Sequence, residues 1–140
     1  MTKTIIQDVV FKNARASDIY DLYVDAKKHT QSTGAPAKIS AKVGSSFSAH
    51  DGFITGKNLQ LVKDRLIIQS WRGKDWKKDD ADSTFIISLE QKGKDTLLHA
   101  VHANIPDNQV KGISKGWKDF YWDPWKKFLA GKPAMQREKM

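Results

Sequence analysis

Between residues 47 and 102 the sequence is cut by joints too short for anything but hairpins. Segments 47–50, 56–62, 66–72, 83–91 and 96–102 each read as a strand, and tight turns at Asp51-Gly52, Lys63-Asp64 and 92–94 separate three of the four pairs. A parallel crossover needs a dozen residues or more, so these strands must form an antiparallel meander. Phe85, Ile87 and Leu89 share one face against Thr84, Ser88 and Glu90, and the period of two assigns that face to the core, with Ile86 the exception. The fourth joint, 73–82, mixes Lys74, Asp75, Lys77, Lys78, Asp79, Asp80 and Asp82, as expected of a solvated loop or hairpin end. Trp76 inside it needs a partner surface.

The flanks supply the helices. Ile5, Val9 and Phe11 give the stretch 4–12 one buried side, a first strand with Val10 on the opposite face. Ser17 reads as an N-cap, with Asp18 and Asp21 in the first turn and Ile19, Leu22, Tyr23 and Ala26 at helical spacing, which predicts a short helix to about residue 28, closed by Gly34 and Pro36. After Pro106, Asp107 can cap a long helix carrying Ile113, Trp117, Phe120, Tyr121, Pro124, Phe128 and Leu129 at offsets near three and four, kinked at Pro124 and stopped by Gly131 and Pro133. These elements define an α+β chain: a curved antiparallel sheet wrapped around a long C-terminal helix, with a short helix after the first strand. We expect one domain over 1–131 and a basic, frayed tail over 132–140.

Composition narrows the chemistry. The 140 residues hold no cysteine, which removes disulfides, thiolate metal sites and cysteine nucleophiles together. No stretch approaches the ~20 apolar residues of a membrane helix, and the N-terminal apolar run is too short for a signal peptide, so the expected setting is soluble and cytoplasmic. The net charge of +8 would suit a polyanion, but 20 of the 24 cations are lysines scattered along the chain rather than clustered arginines, which argues against specific nucleic-acid recognition. His99 and His102 lie three apart on one strand and so point to opposite faces, which prevents them from sharing one metal ion. Glu90 and Glu138 are the sole glutamates, and neither a nucleophile elbow nor a phosphate-binding glycine loop is present. We therefore expect no catalytic residue, no metal ligand, no cofactor and no enzymatic activity.

The residues Asp51-Gly52, Gly56, Leu61, Ile68-Gln69-Ser70-Trp71-Arg72, Trp76, Thr96-Leu97-Leu98, His102, Ile105-Pro106, Gly116-Trp117 and Tyr121-Trp122 resemble those of the activator of heat-shock protein 90 ATPase homologue-like family. That family belongs to the SRPBCC superfamily, with START and birch-pollen-allergen-like domains, and the resemblance runs from about Phe11 to Leu129. It implies a helix-grip fold, often with an apolar cavity between sheet and last helix that holds lipids, hormones or polyketide intermediates. It also implies a chaperone as partner and a place in the stress response. Eukaryotic co-chaperones of this type carry an additional N-terminal domain to which nothing in this sequence corresponds, so direct stimulation of a chaperone ATPase does not follow from the resemblance.

Two functional readings result. In the first, a lipophilic small molecule, apolar or amphipathic and fatty-acyl in kind, occupies the sheet–helix cavity, walled by Trp71, Phe85, Ile87, Trp117, Phe120, Tyr121 and Phe128. The alternative is that the same aromatics are plain core, as large aromatics more often are. In the second, the domain is a co-chaperone-like module modulating a heat-shock protein 90-type ATPase, docking through Lys118, Trp122, Trp125, Lys126 and Lys127, with both tryptophans off the buried stripe unless the Pro124 kink turns one inward. A void of a few hundred Å³ favours the first reading and a filled interior the second.

Overall fold

The computed structural model describes residues 1–139, with side chains described through Gly131. The strands are β1 (Thr2–Phe11), β2 (Ser46–Ala49), β3 (Ile54–Val62), β4 (Leu66–Gly73), β5 (Ser83–Lys92) and β6 (Asp95–Pro106). They form one six-stranded sheet in the order β1-β6-β5-β4-β3-β2, antiparallel throughout. The meander is thus as the turns required, and β1 closes it by pairing with the last strand. Phe85, Ile87 and Leu89 are buried on the concave face, as their alternation demanded.

The expected first helix is two: α1 (Ala16–Val24) and α2 (Ala26–Thr33). Ser17 does not cap it; Arg15 is the N-cap residue and offers no side-chain hydrogen bond. The break falls at Asp25, whose extended backbone ends α1 and whose carboxylate accepts from Lys28 N to start α2. Gly34 closes α2 in the left-handed conformation at φ 82°, where its lack of a Cβ carries no steric penalty.

The last helical stretch grips the concave face, and its register differs from a plain α-helix. After a 3₁₀ turn at Asp107–Gln109 come α3 (Val110–Trp117), a π turn (Lys118–Trp122) and α4 (Asp123–Lys139). The π turn, closed by Asp123 N–H donating to Lys118 O, sits one residue before Pro124, which has no N–H to give the Phe120 carbonyl. The extra residue advances the buried stripe by one. Tyr121 and Leu129 follow Trp117 inward as expected and are joined by Trp122 and Trp125, while Phe128 is half-buried and Phe120 turns out to 51% exposure. Pro124 therefore brings a π turn, and helical backbone continues past the expected stop at Gly131. The basic tail expected at 132–140 lies outside the residues with described side chains.

Candidate functional site

Aromatic rings fill the middle of the grip. Trp117 stacks on Phe85 at 4.0 Å between centroids and 7° between planes, and Trp125 is fully enclosed with edge contacts to Tyr23, Tyr121 and Trp122. Trp122 donates its Nε1–H to Gln7 Oε1 at 2.6 Å, which ties the π turn to β1. Trp122 and Trp125 are therefore core, and the expectation that they face outward is corrected by the register shift. Phe85 and Ile87 are core as well, and Phe128 is half-buried against it.

Two buried histidine clusters cross this core. Trp117 Nε1–H donates to His102 Nδ1 at 3.0 Å, which leaves the ring proton on Nε2, from where it meets Ser83 Oγ at 2.8 Å. Ser83 in turn donates to the Trp71 carbonyl at 2.7 Å. A serine beside a histidine invites a nucleophile reading, and the proton order speaks against it. Here the histidine donates to the serine and has a tryptophan, not a carboxylate, behind it, so it cannot serve as the base. In the second cluster His29 Nδ1 donates to Tyr23 O at 2.8 Å, and its Nε2 accepts from Tyr121 Oη at 2.9 Å. Desolvation by burial holds His29 at a pKa of about 4 and His102 at about 3, and pushes Tyr121 well above the ordinary phenol value. On the opposite face of β6, His99 is exposed and pairs with Asp8, so the two β6 histidines diverge as the strand period required.

The open space lies at one end of the grip. A cavity of about 400 Å³ is bounded by Trp71 and Gly73 from β4, by His50 and Phe53 from the β2–β3 turn and Ile54 at the start of β3, and by Asp75 and Trp76 from the charged loop. Its remaining wall is the helix, through Gln109, Gly112, Ile113, Gly116 and Trp117 of the 3₁₀ turn and α3, then Phe120 and Tyr121. Trp71, Trp117, Phe120 and Tyr121 were expected there; Phe85, Ile87 and Phe128 were expected and do not reach it. The space exists because α3 presents two glycines four residues apart. A Cβ added at Gly112 would meet nothing within 4 Å, and one at Gly116 only the Phe120 ring at 3.9 Å.

Trp76 finds its partner surface on Trp71, at 5.8 Å, beneath the Arg72 guanidinium. Arg72 donates to the carbonyls of Asp80 and Lys77 at 2.6 Å each and pairs with Asp82 at 3.2 Å, so the loop is fastened over the cavity rather than free. Gly73 is needed for that fold-back, since a Cβ would stand 2.6 Å from Trp76 Nε1. The β2–β3 turn is strained. His50, Asp51 and Gly52 are three consecutive left-handed residues, at φ 52°, 56° and 88°, and His50 rests its ring against Phe120 and Tyr121. Left-handed non-glycine residues cost on the order of 1–2 kcal/mol each and concentrate where a side chain must be aimed.

Residues 13–130 match the sequence profile described as Activator of Hsp90 ATPase homolog 1-like protein. The chain belongs to this family. It is 30% identical over 102 residues to the Activator of 90 kDa heat shock protein ATPase homolog of Dictyostelium discoideum, covering 72% of this chain and 26% of that one. It is 26% identical over 106 residues to homolog 1 of Homo sapiens, covering 76% and 31%. The chain thus spans about a third or less of the length of these relatives. Among solved structures, an HSP90 activator from Plasmodium falciparum superposes with a TM-score of 0.80 at 24% identity, covering 93% of this chain and 96% of that one. The Aha1 dimer from Colwellia psychrerythraea gives 0.72 at 15%, covering 84% and 90%. These likenesses establish the helix-grip fold. No helix among the described residues is long and apolar enough to cross a membrane.

Proposed function

We propose that the domain holds an apolar or amphipathic small molecule in the cavity under α3 and performs no chemistry on it. The observation that carries this reading is the glycine-lined helix face opposite Trp71 and Trp76. A volume of about 400 Å³ falls in the ~300–1,000 Å³ range of small-molecule sites, and the walls are mostly apolar and rich in aromatic side chains, with few polar groups. The strain at His50 and the fastening of Trp76 support a preformed wall. Amide-shift titration with a panel of lipophiles tests it. The expected result is perturbation confined to Trp71, Trp76, Gly112, Gly116 and Phe120, with at best micromolar affinity. A panel that leaves all five unmoved overturns the reading.

Family membership favours a second reading, a module that modulates a heat-shock protein 90-type ATPase. With Trp122 and Trp125 buried, its surface reduces to the cations of the outer helix face. Lys118 is held by Asp123 at 2.9 Å, whereas Lys126 and Lys127 make no ion pair among the described residues. Attraction through exposed charges is screened over about 8 Å at physiological salt, so chaperone capture should weaken steeply as salt rises. Lys126→Glu with Lys127→Glu should abolish it while leaving the fold intact. A pull-down insensitive to both salt and the double substitution would remove this surface from consideration.

A further inference from the structure

We propose that the cavity selects a small amphipathic cation, an alkyl or aryl chain ending in a quaternary or tertiary ammonium group, with the chain beneath α3 and the charged end between Asp75 and the aromatic rim. The proposal rests on the small-molecule reading above and adds the sign of the ligand's charge. Asp75 is the one formally charged side chain among the lining residues. It is exposed at the rim and makes no ion pair among the described residues. The chain carries 24 lysines and arginines, yet none lines this space. Arg72, the cation placed over Trp76, is committed to two loop carbonyls and Asp82. Burial of the His50 imidazole disfavours its charged form.

The neutral walls point the same way. Trp71, Trp76, Phe53 and Phe120 bring aromatic rings to the cavity, and an ammonium group over such faces gains cation–π attraction that strengthens as water is excluded. A carboxylate in the same place would lie near Asp75 with no cation to neutralise it, a costly arrangement in partly desolvated surroundings. The overall charge of +8 opposes a cation only from outside, where salt screens it within a Debye length, whereas Asp75 acts at contact. Fatty-acyl anions, expected from the fold resemblance, are therefore the disfavoured class.

Titration of the full chain with octyltrimethylammonium, octanol and octanoate, followed by amide shifts, separates chain from charge. The ammonium compound should bind roughly tenfold more tightly than octanol, with octanoate weakest. Asp75→Asn should remove most of that advantage while leaving octanol binding unchanged. Octanoate binding as well as the ammonium compound, or a preference that survives Asp75→Asn, overturns the charge selection. Equal binding of octanol and the ammonium compound also overturns it and leaves the cavity reading standing. If none of the three moves Trp71 or Gly112, both fail together.

Discussion

Trp117→Ala is expected to lower the free energy of unfolding by about 3–5 kcal/mol, the range for deleting a large aromatic from a packed core. The indole is 3% exposed, stacks on Phe85 and supplies the hydrogen bond that fixes the His102 tautomer, so its removal opens a void and orphans a buried acceptor together. Trp117→Phe is the milder change. It keeps a six-membered ring against Phe85 but loses the N–H and the volume of the fused ring, for a smaller cost than alanine, about 1–3 kcal/mol. Urea unfolding followed by circular dichroism reads both. An unchanged midpoint for the alanine variant would contradict the packing of α3 on β5.

Stability should fall in mild acid before the carboxylates titrate. His29 and His102 have folded pKa values of about 4 and about 3, below the ordinary 6.5, so the folded state takes up fewer protons than the unfolded chain. Their contribution is complete above pH 6.5 and is lost as pH falls toward the folded values. By pH 5 it amounts to a loss of roughly 2 kcal/mol from each. His50 is shifted in the same direction by burial. Urea midpoints recorded between pH 7 and 5 should slope downward, and His102→Gln should flatten about half of the slope. A flat profile for the unaltered protein would mean that neither imidazole is held neutral.

The strands and their faces were legible because period two is a local property, and the turns at Asp51-Gly52 and Lys63-Asp64 leave one way to connect them. The long helix was legible as an element but not in its phase. A stripe read at three-and-four spacing took Phe120 and Phe128 inward, whereas Ile113, Trp117, Tyr121, Trp125 and Leu129 recur at a strict interval of four. At 100° per residue such a run drifts 40° per step, and a π turn ahead of Pro124 absorbs part of that drift. That strict repeat beside a proline was the available signal for burying Trp125; Trp122 lies off it and no local pattern announced its burial.

The cavity was placed too deep for a related reason. Phe85 and Ile87 belong to the same strand face as the core, but the open volume is set by what is missing from the helix, the side chains of Gly112 and Gly116. The walls from His50, Phe53 and Trp76 come from segments far apart in sequence, and only the closed sheet brings them to one mouth. Gln69, Asn58 and Tyr23 likewise form a hydrogen-bonded chain across the core that no local pattern announces.

Native mass spectrometry of the protein purified from its own cells tests the central claim most directly, with Gly112→Leu alongside. The leucine fills the cavity from a position with free space, and replacing a helical glycine should add up to about 1 kcal/mol of stability. The account predicts a noncovalent small molecule on the unaltered chain and a bare, folded variant. A bare chain in both, or the same bound mass in both, would contradict it.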